Sequence, residues 1–185
     1  MIHYFDKPGK ENTAKTVELA IQAAKDHGIS TIVVATGSGE TPLLFRDAAK
    51  EGIHVVAVTR ANGFKTPGVQ DMPQQARQQL EEAGIDIVTT THVLSGAERG
   101  LSRKFTGVYP VEIMAHTLRM FGQGTKVCVE CAVMALDCGA IAPGPVVCVA
   151  GTGVGADTCW ILRPAHAQDI LDTKLDELIC KPILP

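Results

Sequence analysis

Four short β-branched runs, set among stretches with helical spacing, limit what this chain can fold into. The runs are Thr31–Ala35, Ile53–Thr59, Ile85–Thr90 and Val146–Ala150. Each is apolar on both faces, the pattern of strands buried in a parallel sheet with helices above and below. Between them, Val17, Ala20, Ile21 and Ala24 recur at helical spacing from Asn12 to His27, and Gly28 ends the run. Thr41 reads as an N-cap with Pro42 in the first turn of a helix that stops at Gly52. Pro73 opens another, with Ala76, Leu80 and Ala83 on one face and Gly84 at its end. Two more runs, Val111–Phe121 and Lys126–Cys138, flank Gly122-Gln123-Gly124, and the second is apolar on most sides, predicting deep burial. Thr158–Leu162 follows Val146–Ala150 too closely for a parallel crossover, so it should run antiparallel. The expected architecture is an α/β three-layer αβα sandwich: one domain over residues 1–185, with a mostly parallel five-stranded sheet and an antiparallel last strand.

Two stretches resist this pattern. Thr91–Tyr109 contains three glycines and little periodicity, and reads as a long irregular segment of the kind that often carries function. The tail holds an amphipathic segment, Ile170–Ile179, suited to packing on the surface or on a second copy, which makes a homodimer reasonable.

Charge and composition narrow the partners. A formal net charge of −3 with both signs interspersed argues against nucleic acid or an anionic membrane as the main partner. The apolar runs are far shorter than the roughly 20 residues of a membrane span. The N-terminus lacks the basic-then-apolar pattern of a signal peptide, so a cytoplasmic location is expected. The six cysteines lie mostly in apolar stretches and read as buried, reduced thiols. Cys128-x-x-Cys131 has no second ligand pair nearby, and no metal site is expected.

Open sheets of this kind bind ligands beyond the carboxyl ends of their strands. The strongest candidate there is Thr36-Gly37-Ser38-Gly39-Glu40-Thr41. Its glycines let backbone N–H groups approach an anion, its hydroxyls add donors, and a helix N-terminus adds positive potential. A carboxylate beside a phosphate is unfavourable, so Glu40 is better placed on sugar or ribityl hydroxyls. The spacing is neither a dinucleotide fingerprint nor a P-loop. Gly151-Thr152-Gly153-Val154-Gly155 follows another strand and reads either as the opposite wall or as a plain hairpin turn. Further candidates are Thr59, Phe64 as a stacking face, His92 as a ligand contact or proton donor, Ser95, and Arg99 within the cationic group Arg99, Arg103 and Lys104. His116, inside a helical run, reads as structural. No catalytic group is evident.

Taken together, these segments resemble a known family. Ile32–Thr41 with Val55–Arg60, then Phe105–Val111, then Val146–Thr158, are similar to the carboxy-terminal α/β domain of pyruvate kinase. The likeness is greatest to the small stand-alone proteins of that type. In pyruvate kinase this domain is allosteric, and the resemblance implies that the loop at Thr36–Thr41 holds a sugar-bisphosphate phosphate. The catalytic barrel has no counterpart here, so kinase activity is not implied. The stand-alone relatives are associated with FMN in the same region. Gly151–Asp157 carries no Arg or Trp to clamp a second phosphate, which favours a single-phosphate ligand with a bulky organic part. The expectation is a phosphorylated small molecule, FMN foremost, bound by a regulatory or ligand-binding module. The alternative is a flavin-dependent redox enzyme.

Overall fold

The computed structural model describes residues 1–183. One seven-stranded sheet runs through the molecule. In chain order its strands are β1 (His3–Phe5), β2 (Thr31–Ala35), β3 (His54–Val58), β4 (Asp86–Val88), β5 (Val146–Ala150), β6 (Thr158–Arg163) and β7 (Lys174–Pro182). They lie side by side as β1-β7-β6-β5-β2-β3-β4. All neighbours pair in parallel except that β6 opposes both β5 and β7. The antiparallel strand expected at Thr158–Leu162 is therefore present as β6.

The helices are α1 (Thr13–His27), α2 (Glu40–Leu43), α3 (Arg46–Lys50), α4 (Gln74–Glu82), α5 (Gly96–Phe105), α6 (Pro110–Arg119) and α7 (Gln123–Asp137). The alternation of the strands sorts them into two cores. Ile32, Val34, Val55, Ala57, Val147 and Val149 face one side, against Val17, Ala20 and Ala24 of α1 and Leu80 of α4. Val33, Val56, Val58, Val146, Cys148 and Ala150 face the other, against α7. This is the expected three-layer sandwich, with the central strands buried on both faces. As anticipated, α7 is the most deeply buried helix, with twelve buried residues.

Three expectations need correction. The sheet has seven strands, not five. Segment Ile170–Ile179 is not a free amphipathic piece: its first part lies in the short 3-10 stretch Ala167–Asp172 and the rest belongs to β7, between β1 and β6. Irregularities in the β6–β7 pairing break the strict alternation of β7, so Leu175 and Leu178 fall three apart, as they would on a helix. The stretch Thr91–Tyr109 is not irregular throughout, because α5 occupies Gly96–Phe105. Its two glycines lower helix propensity, and its short apolar stripe, Leu101 and Phe105, is exposed rather than packed on the sheet.

Five of the six cysteines are buried and Cys138 is exposed. The thiols of Cys128 and Cys148 each donate to the other's carbonyl, at 3.3 and 3.1 Å. Burial pushes the Cys128, Cys131 and Cys159 thiols well above their ordinary range, and Cys180 up to about 12, so these groups stay protonated. Among the described residues, no helix is long and apolar enough to cross a membrane.

Candidate functional site

The chain moves outward from β2 to β3 and β4, then returns through α5–α7 to β5 on the other side of β2. This reversal opens a crevice beyond the carboxyl ends of β2 and β5, where open α/β sheets bind ligands. A cleft of about 530 Å³ lies there, within the usual range for a small-molecule site.

One wall is the loop after β2. Thr36 N–H still pairs with the Val58 carbonyl, so the loop starts from a fixed strand end. Its turn is held internally: Gly39 N–H donates to Thr36 Oγ1 at 2.9 Å and Glu40 N–H to Ser38 Oγ at 3.4 Å. Thr36, Gly37, Ser38, Glu40 and Thr41 line the cleft. The cap of α2 is Gly39 (φ +90°), not Thr41 as the sequence suggests. A side chain at Gly39 would meet Ala76 Cβ of α4 at 3.0 Å, so this glycine faces the core rather than the cleft. Gly37 is the one on the cleft side, where a Cβ would lie 3.3–3.5 Å from the Arg60 guanidinium. The helix that follows has only four residues and supplies little dipole. The unfavourable Glu40 carboxylate is offset by Lys10, whose Nζ donates to it at 2.8 Å.

The loop after β3 forms a second wall. Gln70 ties it down, donating to the Arg60 carbonyl and Asn62 Oδ1 at 3.1 Å and accepting from Met72 N–H. Arg60 Nη1 donates to the nearly buried Asp71 at 3.0 Å. Phe64 sits amid cations: the Arg60 and Arg99 guanidiniums lie 5.2 and 5.6 Å from its ring centre, and His92 stacks on it at 5.4 Å. The Thr59 hydroxyl is 2.7 Å from that of Thr89 and so is held within the wall.

His92 proves to be a support. Ala61 N–H donates to its Nε2 at 3.2 Å, which leaves the ring proton on Nδ1, aimed toward Glu130 Oε2 3.8 Å away. Burial, partly opposed by Glu130 and reinforced by Lys126, Arg99 and Arg60, holds its pKa below the ordinary value and keeps the ring neutral. It thus braces the Ala61–Asp71 loop.

The third wall was not foreseen. Arg119 of α6 and Gln123, Lys126 and Glu130 of α7 line the cleft. Arg119 Nε donates to Gln123 Oε1 at 2.8 Å. Lys126 and Glu130, each only 4% exposed, form a buried ion pair one helical turn apart, and Glu130 Oε1 also accepts Leu94 N–H at 3.0 Å. A detectable signal was present: two isolated opposite charges at i and i+4 in an otherwise apolar helix must be buried together.

The loop after β5 closes the cleft with Gly151, Gly153, Val154 and Gly155. Its glycines serve packing as well. A Cβ at Gly155 would fall 2.8 Å from Lys10 Cα, and its φ is +76°. The fully buried Asp157 organises the turn by accepting the N–H groups of Gly9 and Thr152 at 3.2 Å and the Thr158 hydroxyl at 2.8 Å.

Of the thirteen residues singled out from sequence, ten line this one cleft: Thr36, Gly37, Ser38, Glu40, Thr41, Thr59, Phe64, His92, Arg99 and Gly151. Gly39, Ser95 and Thr152 do not. Gly39 faces α4, Ser95 is buried at the start of α5, and Thr152 N–H turns to Asp157. The cationic counterpart absent from Gly151–Asp157 comes instead from α5–α7. Within the cleft Glu40 is paired with Lys10, Glu130 with Lys126, and Asp71 with Arg60, with Lys65 at 3.9 Å. Arg99 and Arg119 have no carboxylate partner among the described residues, so the cleft keeps a surplus of positive charge.

The model of the pyruvate kinase alpha/beta domain matches residues 14–162, covering β2–β5, nearly all of β6 and every helix of the sandwich. β1 and β7 lie outside the matched span.

Proposed function

Starting from the fact that this chain belongs to the pyruvate kinase alpha/beta domain family, we propose that it binds a phosphorylated small molecule in the cleft at β2 and β5, with FMN the leading candidate. The observation that carries the reading is the pair Arg99 and Arg119, two guanidiniums lining one cleft without carboxylate partners among the described residues. A phosphate monoester carries about −1.5 to −2 at neutral pH, which matches that surplus. The donor set fits the group. The phosphate would take the backbone N–H groups of Gly37 and Ser38 and the hydroxyls of the Thr36–Thr41 loop, with Arg60 beside Gly37. Phe64 would offer its ring to a flat organic portion, and Val127, Met134 and Val154 supply apolar lining. When bound, FMN would supply one- or two-electron transfer. The chain's own residues serve to bind and orient, and His92, already engaged at Nε2, offers no free base on that nitrogen.

The test is the visible spectrum of the purified protein, followed by titration with FMN. A flavin spectrum, or quenching of FMN fluorescence on titration, supports the proposal. Bleaching by a nicotinamide cofactor with reoxidation coupled to a substrate would move the reading to a redox enzyme. A colourless protein stabilised by other phosphate monoesters but not by FMN would keep the phosphate site and remove the flavin.

A further inference from the structure

The hairpin of α5 and α6 has two unlike faces. Arg99 and Arg119 turn into the cleft, whereas Leu101 and Phe105, one turn apart on α5, are 46% and 62% exposed. Val108 follows at 74%. On α6 the outward stripe is Ile113, His116, Thr117 and Met120, spaced for a single helix face and running on to Phe121. Ile113, Met120 and Phe121 are 55%, 75% and 56% exposed. That stripe contains no acidic residue and no Lys or Arg. The outer faces of other helices differ: α1 carries the exposed pair Lys15–Glu18, and α4 pairs Arg77 with Glu81.

Within the hairpin α5 is weakly anchored, whereas α6 packs Val111, Met114, Ala115 and Leu118 against the α7 side of the core. No residue of α5 is buried among those described, and only Ala115 of α6 is. Glu98 accepts Glu112 N–H at 2.9 Å, joining the two helices to each other rather than to the sheet. An apolar helix face left in water gives little reason for α5 to hold Arg99 in position.

We infer that the outer face of α5–α6 is the interface of a homodimer, with a second copy of this chain as its occupant. The argument for a second copy is size and charge. The six large side chains expose on the order of 600 Å² of mostly apolar surface, near the roughly 800 Å² per partner of a standard interface and at the upper end of what monomers usually leave bare. A two-fold contact sets a patch against itself, so any dominant charge would repel its own copy. The uncharged stripe on α6 meets that condition; on α5 the Lys104 ammonium lies 5.5 Å from the Phe105 ring centre, so α6 would form the centre of the contact. The interface would bury the back of the two helices that supply Arg99 and Arg119. This inference does not depend on which ligand fills the cleft.

The experiment is light scattering coupled to size-exclusion chromatography on the full chain over a range of concentrations, with the variants Ile113→Asp and Met120→Asp. Both positions are exposed, so circular dichroism should be unchanged in the variants. The wild type should show twice the chain mass of 19.6 kDa, and both variants should fall to the single-chain mass. A wild type that stays monomeric at every concentration would overturn the inference. So would a dimer that survives both substitutions, since its contact would lie on another face.

Discussion

The two principal walls of the cleft are made differently. The Thr36–Thr41 wall is continuous in sequence, a glycine-rich turn at a strand end braced by its own hydroxyls, which hold the Gly39 and Glu40 N–H groups. The α5–α7 wall is made from side chains spread over three helices, with Arg99, Arg119 and Lys126 as its charges. The first wall is rigid yet carries an acidic residue that needs Lys10 to balance it. The second brings the surplus positive charge but depends on a buried ion pair and, for Arg99, on the loosely anchored α5. Shape therefore comes from one side and net charge from the other, and the proposed phosphate site needs both.

The largest effect should come from the buried pair. Lys126→Met leaves Glu130 charged and without its ion-pair partner in the core, which should cost about 3–5 kcal/mol in urea unfolding. Adding Glu130→Met should recover part of that loss, because apolar replacement of both partners is often near neutral. If the double variant is no better than the single, Glu130 matters chiefly as the acceptor for Leu94 N–H.

Next, Arg99→Gln and Arg119→Gln should each weaken FMN binding by about 1.5–3 kcal/mol, roughly ten- to a hundredfold, with thermal stability little changed. Isothermal titration checks this. Loss of stability without loss of affinity would reassign both to structural roles.

The two glycines of the first wall should separate cleanly. Gly39→Ala strains a positive φ and presses on Ala76, so it should cost about 1–3 kcal/mol of stability. Gly37→Asp should leave stability almost unchanged and lower FMN affinity, since its side chain enters beside Arg60. The reverse pattern would mean that the loop presents its other face to the ligand.

The smallest effect concerns pH. His92 has a folded-state pKa below its unfolded value, so its neutral form is favoured in the native state. Its contribution to stability is complete above the unfolded value near 6.5 and is lost as pH falls below that toward the folded pKa. Unfolding free energy should therefore decline on acidification from pH 7, and His92→Gln should flatten that slope. An identical slope in the variant would show that another group is responsible.

The legibility of these features follows the same division. The central strands were plain because Ile32–Val34 and Val55–Val58 are buried on both faces, and continuous apolar runs leave few alternatives. The first wall was readable because all its parts lie within six residues. β7 was hidden because its irregular pairing with β6 gives Leu175 and Leu178 a helical spacing. α5 was hidden because Gly96 and Gly100 lower its helix propensity and only Leu101 and Phe105 mark its apolar face. Arg119 was hidden for another reason: nothing local tells a surface cation from one that topology turns into a cleft. Asp157 shows the same limit, since its donors come from Gly9 as well as from its own loop.

The central claim is that one cleft holds a phosphate through both walls. The most direct test is calorimetric titration of the wild-type protein with FMN and, in parallel, with riboflavin, which shares the ring and ribityl chain but lacks the phosphate. Two or more charge-assisted contacts predict that FMN binds at least about a hundredfold more tightly. Equal affinities for the two ligands would contradict the account.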